Sequence, residues 1–231
     1  QLLRPRCIAR PSAAARTVYS TAGAPSAGLG TPGSAPKPKM SFADLRRKVL
    51  ATDAVTMLTC YDAGWASLLD GTVDMLLVGD SVANVCLGME STRGVGLDAM
   101  VHHTKAVRAG ARRSLVVADM PFGTYLQCSD ALTAAARLMA EGGADAVKPQ
   151  TAGASTGFRV QGQDSSGGRA VVADAVALAN AGASAVVLEM VPDEVAAAAT
   201  ARLRAMGVVV EDKSVKRLSR HIRGTMRAIW L

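Results

Sequence analysis

The sequence predicts an α/β fold, a (β/α) barrel that falls short of eight units. Three observations predict it. First, short apolar runs recur between turn residues, the pattern of strands buried on both faces. The clearest is Met75-Leu76-Leu77-Val78, which runs into Gly79-Asp80-Ser81. Second, helical stretches alternate with these runs. Two helix-to-strand joints also resemble each other, Gly143-Ala144-Asp145-Ala146-Val147 and Gly182-Ala183-Ser184-Ala185-Val186. Repeated strand–helix units imply a parallel sheet. Third, residues 41–231 number 191. A complete eight-unit barrel runs to about 250 residues, so about one to three units are expected to be missing.

The elements follow in order. Ser41, with Asp44 three residues on, has the spacing of a capping box. Phe42, Leu45 and Val49 then form a helical stripe. Residues 55–61 read as a strand ending at Asp62, which is placed to cap a helix over 63–69 with Trp65, Leu68 and Leu69 on its apolar face. Strand 75–79 follows. Residues 84–96 hold three glycines and no clear period, and read as a mobile loop over the strand ends. Residues 97–109 are helical, with Leu97, Met100, Val101, Thr104 and Val107 inward. His102 and His103 are adjacent, point to different faces and read as structural. Residues 114–122 give a third strand. A helix opening at Ser129 follows, with Leu132, Ala136 and Met139 inward and a stop at Gly142-Gly143. Residues 144–148 form a short strand ending in Lys148. Residues 149–170 read as a long irregular stretch, then a helix over 171–181. Residues 182–191 give a strand with Glu189 near its end, and Pro192 starts a helix reaching about Met206.

Charge is unevenly spread. The formal net charge is +7, which on its own points to nucleic acid. Residues 1–40 hold six basic residues and no acid, and residues 212–231 hold six more against Asp212. The middle therefore keeps 14 basic and 18 acidic residues and is mildly acidic, which argues against a nucleic-acid partner. Residues 1–40 are rich in Arg, Ser, Ala, Gly and Pro, the composition of an organelle transit peptide or of a disordered tail. The expected organisation is a leader over 1–40, a barrel over 41–211 and a basic tail over 212–231. The four cysteines show no close pairing, which favours reduced thiols. No apolar run approaches the roughly 20 residues of a membrane span.

Asp80, Asp119, Lys148 and Glu189 all end predicted strands, so in a barrel they converge on one rim. Two aspartates on neighbouring strands suit Mg²⁺, which takes one or two carboxylates and leaves positions open for substrate. Ser81 adds a hydrogen bond to a bound anion, Lys148 suits a carboxylate, and Glu189 suits a general base. A strand-end aspartate also caps the next helix in many proteins, so the caps and the metal site stand as alternatives on spacing alone.

Seven strings resemble the ketopantoate hydroxymethyltransferase family: MLTCYDAGWASLLD at 57–70, LLVGDSVANVCLGMEST at 76–92, LDAMVHHTKAVRAGA at 97–111, VVADMPFGTY at 116–125, GADAVK at 143–148, GFRVQGQD at 157–164 and AGASAVVLEMVP at 181–192. The resemblance implies a (β/α)8 TIM barrel. It also implies transfer of a hydroxymethyl group from 5,10-methylenetetrahydrofolate to 3-methyl-2-oxobutanoate, giving 2-dehydropantoate for pantothenate and coenzyme A through a Mg²⁺-stabilised enolate. In that family pattern Asp80 and Asp119 hold the metal. Asp80, Ser81, Asp119 and Lys148 contact the keto acid, and Glu189 accepts the proton. The resemblance further implies a homo-oligomer where the barrel is complete and, in a eukaryote, a mitochondrial address, with the plastid as alternative.

The chain departs from the family in two places. Lys148 runs directly into Pro149-Gln150-Thr151, where the family continues with a Leu-Glu-Gly-Gly run whose glutamate is the third acid of the metal site. Roughly 30 residues, about one βα unit, are expected to be absent there. After residue 204 the family's Gly-Ile-Gly-Ala-Gly strand is replaced by Met206-Gly-Val-Val-Val-Glu-Asp-Lys and the basic tail. The alternatives are therefore an inactive or ligand-binding-only truncated form, or another Mg²⁺-dependent keto-acid barrel of the phosphoenolpyruvate mutase type.

Overall fold

Ser41 opens the first helix, α1 (Phe42–Leu50), through the expected capping box. Its hydroxyl accepts from the Asp44 N–H, while the Asp44 carboxylate accepts from the Ser41 N–H. This computed structural model describes residues 38–149 and 160–213, with side chains to 211. The leader up to residue 37, residues 150–159 of the irregular stretch and the tail from 214 lie outside the described residues.

After α1 come β1 (Met57–Thr59), α2 (Ala63–Leu69), β2 (Met75–Val78) and α3 (Val82–Val85). A 3-10 turn at Thr92–Gly94 precedes α4 (Leu97–Gly110), β3 (Leu115–Met120), α5 (Cys128–Ala140) and β4 (Ala146–Pro149). Then come α6 (Ser165–Asn180), β5 (Ala185–Glu189), α7 (Asp193–Ala205) and β6 (Val209–Lys213). All strand pairing is parallel. The first four strands form one sheet in the order β1-β2-β3-β4, and β5 pairs with β6 in a second. Between β4 and β5 the hydrogen-bonded ladder is interrupted among the described residues.

Two expected helix faces are corrected. In α2, Trp65 and Leu68 are 62% and 70% exposed, and it is Ala66 that is buried. The reason lies in α4. A Cβ on Gly110 would sit 2.3 Å from the Ala63 carbonyl oxygen, so the two helices meet backbone to backbone through their smallest residues. The large side chains of α2 are turned outward. In α5 the same thing happens: Leu132 is 72% exposed and Met139 47%, while Ala134 and Leu138 are buried. Four of the five inward residues expected for α4 hold, Met100, Val101, Thr104 and Val107.

Other corrections are local. The loop expected over 84–96 contains the end of α3 and the 3-10 turn. Helix α5 begins one residue before Ser129. Helix α6 starts at Ser165, not 171, because the Asp164 carboxylate accepts from the Gly167 N–H at 2.6 Å and caps a start made of poor helix formers. Strand β6 was not expected. Its Val209-Val210 pair follows three residues after α7 and pairs in register with Ala185-Val186 of β5.

Three buried clusters result. The largest lies between the four-stranded sheet and α2, α4 and α5, around Leu76, Val78, Met100, Val116 and Leu138. A second holds β5, β6, α6 and α7 around Val186, Leu188, Val195 and Leu203. A third, of Leu45, Val49, Met75, Leu115 and Val209, joins α1 to the first residues of β2, β3 and β6. At the N-terminal strand ends the acids are saturated by their own chain. Asp74 is paired with Lys48 at 2.7 Å and accepts from the Thr56 N–H at 2.8 Å. Asp70 accepts from the N–H groups of Arg113 and Ser114, and Asp145 from Val116, with Lys39 and Arg108 beside it.

Candidate active site

Parallel register builds the other end of the sheet differently. Asp119 and Lys148 are direct partners across β3 and β4, so their side chains share a face. The Lys148 ammonium lies 2.8 Å from Asp119 Oδ1. The turn leaving β2 brings Asp80 to the same place, and its N–H donates to Asp119 Oδ2 at 3.0 Å. Gly79 makes this turn possible: a Cβ there would fall 2.9 Å from Ser81 Oγ. Ser81 Oγ in turn sits 2.8 Å from the Tyr61 hydroxyl. The Tyr61 carbonyl is 2.9 Å from His103 Nδ1. A carbonyl only accepts, so Nδ1 carries the proton. His103 is thus a structural support, as expected.

Asp119 is 2% exposed. Burial pushes its carboxyl above the usual carboxylate range, and the neighbouring Asp80 charge adds to this. Lys148 and the Asp80 N–H pull in the opposite direction. Tyr61 and Tyr125 are also raised, first by burial, so both remain O–H groups.

Of the five residues expected at the rim, the structure brings four together: Asp80, Ser81, Asp119 and Lys148. Glu189 ends β5 in the other sheet, with its side chain exposed. Tyr61 and Tyr125 were not expected. Tyr61 lies two residues beyond the end of β1, so strand-end logic applied to it as well as to the acids. Tyr125 lies six residues beyond Asp119 and is returned to the site only by a turn.

The donor set fits a hard divalent cation. Asp80 and Asp119 are carboxylates, of which Mg²⁺ needs only one or two, although Asp119 Oδ1 is held by Lys148 at 2.8 Å. Among the described residues no group of three or more His, Cys, Asp or Glu side chains is placed to hold a metal.

Parallel strands flanked by helices, with acids and a lysine gathered at their carboxyl ends, define an enzyme of the partial α/β barrel class whose candidate site lies at that end. The likeness to solved structures agrees on fold. Oxaloacetate acetylhydrolase matches with a TM-score of 0.52 at 14% identity, over 84% of this chain and 87% of that one. A 2,3-dimethylmalate lyase of the PEP mutase/isocitrate lyase superfamily matches with 0.51 at 16%, over 81% and 85%. The family model of ketopantoate hydroxymethyltransferase matches residues 39–150 and 148–210, and the chain belongs to that family.

The 3-methyl-2-oxobutanoate hydroxymethyltransferase of Roseiflexus sp. is 41% identical over 195 positions, covering 72% of this chain and 70% of that protein. That of Oleidesulfovibrio alaskensis is 44% identical over 176, covering 63% and 61%. The chain thus spans between 61% and 70% of the length of these two relatives. Its share of the Roseiflexus alignment, 72% of 231 residues, is about 166 of the 195 positions. About 29 positions of that protein therefore face no residue here. The Oleidesulfovibrio alignment leaves about 30 in the same way.

Proposed function

We propose that this site binds 3-methyl-2-oxobutanoate and supports transfer of a hydroxymethyl group to it from 5,10-methylenetetrahydrofolate, giving 2-dehydropantoate. The observation that carries the reading is the Asp80–Asp119–Lys148 cluster, in a chain about 40% identical to enzymes named for this activity. Asp80 and Asp119 are the residues that would hold Mg²⁺. The cation would supply positive charge to the carboxylate and keto oxygens of the substrate and favour loss of the proton at carbon 3. Lys148 binds the carboxylate of the keto acid and orients it. Ser81, held by Tyr61, donates a hydrogen bond. We assign the carbon-3 proton to Glu189 on the family resemblance alone, since here it ends β5 outside the four-residue cluster. The enolate carbon would bond to the methylene carbon of the folate as a C–N bond breaks, and water would supply the hydroxyl as tetrahydrofolate leaves. In keeping with the metal assignment, phosphonopyruvate hydrolase, a likeness in fold, is described in complex with oxalate and Mg⁺⁺.

The roughly 30 unmatched positions favour a second reading for this chain. It lacks one βα unit and with it the third acid, so it binds ligand without turning it over. The partners are small molecules, with neither nucleic acid nor membrane. Among the described residues no helix is long and apolar enough to cross a membrane. Outward Trp65, Leu68 and Leu132 support a homo-oligomer, and the basic leader supports a mitochondrial address.

One experiment separates the readings. The full chain is incubated with Mg²⁺, 5,10-methylenetetrahydrofolate and 3-methyl-2-oxobutanoate, with calorimetry in parallel. Formation of 2-dehydropantoate supports the transferase, and binding without product supports the truncated form. Absence of both rejects the site assignment.

A further inference from the structure

We propose that Tyr125 is a substrate-contacting residue, its phenol O–H donating a hydrogen bond to an oxygen of the bound 2-oxo acid; this rests on the functional reading above. The chain folds back on itself just after Asp119. The Thr124 N–H and hydroxyl both donate to the Pro121 carbonyl, at 3.1 and 2.8 Å, and Gly123 adopts φ +90°. This tight turn returns Tyr125 to the protein, where its ring packs on the same buried cluster as β2, β3 and α5. Its hydroxyl oxygen is buried and meets no hydrogen-bonding partner among the described residues. A buried polar group without a partner is destabilising, and a bound ligand oxygen would satisfy it.

The two tyrosines of the rim differ in this respect. Tyr61 has its hydroxyl satisfied by Ser81. Tyr125 feels the Asp80 and Asp119 carboxylates, the groups that flank the substrate position, without being bonded to them. A lone donor beside a cluster that already contains an ammonium group is complementary to an anionic, oxygen-rich ligand. A 2-oxo acid presents three such oxygens within one small planar group. The hydroxyl is thereby a recognition element for the acid and does not position another side chain.

The test is Tyr125→Phe in the full chain, which removes the oxygen and keeps the ring. Thermal unfolding without ligand is expected to show a midpoint equal to or above that of the parent. Calorimetry with 3-methyl-2-oxobutanoate and Mg²⁺ is expected to show affinity weakened about tenfold or more. A midpoint lowered by more than about 3 °C means that the hydroxyl has a structural partner, and overturns the proposal. Equal affinity in parent and variant overturns it and leaves the functional reading standing. A parent that binds no 2-oxo acid removes that reading, and this inference falls with it.

Discussion

The four-stranded sheet and the two-stranded sheet are built from the same βα unit, yet they differ in what they bury. In the first, β2 is buried at every position, because strands flank it on both sides and helices cover it. In the second, β5 leaves Ala185 and Glu189 exposed and has only β6 beside it among the described residues. A parallel strand becomes a continuous apolar layer only when its neighbours are present. The first sheet therefore assembles a buried cluster of charges at its rim, and the second offers its acid to solvent.

That contrast can be broken by measurement. The largest expected effect is in the two cores. Leu76 and Leu203 are both fully buried. Leu76→Ala should cost about 3–5 kcal/mol, and Leu203→Ala about 2–3, because the thinner unit has more freedom to collapse around the cavity. Urea unfolding checks this, and equal losses would erase the distinction. Hydrogen exchange sharpens it: β5 and β6 amides should exchange through openings smaller than global unfolding, while β2 and β3 amides should require it.

Next in size is Lys148→Met, on the edge strand where the sheets part. Losing the ammonium beside buried Asp119 should cost about 2–3 kcal/mol at neutral pH, somewhat below a fully buried pair because Lys148 reaches solvent. The sign with pH follows from the raised Asp119 carboxyl. The native state holds this proton more tightly than the unfolded state, whose carboxyl has the ordinary value of 3.8. Stability attributable to Asp119 therefore falls as pH rises above 3.8, and more steeply in the variant. Asp74, at the opposite end of the sheet, has the reverse sign. Burial alone would raise it, but Lys48 and Thr56 outweigh burial and hold it below 3.8. Its contribution is complete above that value and is lost as pH falls below it. Asp74→Asn should remove about 1–2 kcal/mol at pH 7 and flatten acid unfolding. The smallest effect on the unfolding of the single subunit is Trp65→Ser, within about 0.5 kcal/mol for a side chain 62% exposed.

Much of this was legible in the sequence. The capping box at Ser41, the cap at Asp62, the buried strand at 75–78 and the inward stripe of α4 follow from local spacing. Asp80 and Asp119 were legible as a pair because both follow apolar runs in neighbouring units. The outward turn of Trp65, Leu68 and Leu132 was not, since helical periodicity marks apolar residues without saying that alanines form the packed face. The early start of α6 was hidden by its serines and glycines, whose propensity loses to the Asp164 cap. Tyr125 was hidden because a turn, and not a strand, brings it to the rim.

The third cluster has a consequence for how the chain assembles. Leu45 and Val209 meet across roughly 160 residues of chain, a closure among the slowest a domain of this size makes. On a ribosome α1 emerges early and cannot find β6 until nearly everything between them has been synthesised. The four-stranded sheet, whose pairings are between successive strands, has no such wait. Its apolar underside at Met75 and Leu115 is therefore left without Val209 during synthesis. Chaperone dependence of folding should track that interval, and a slow refolding phase sensitive to Val209→Ala should report it.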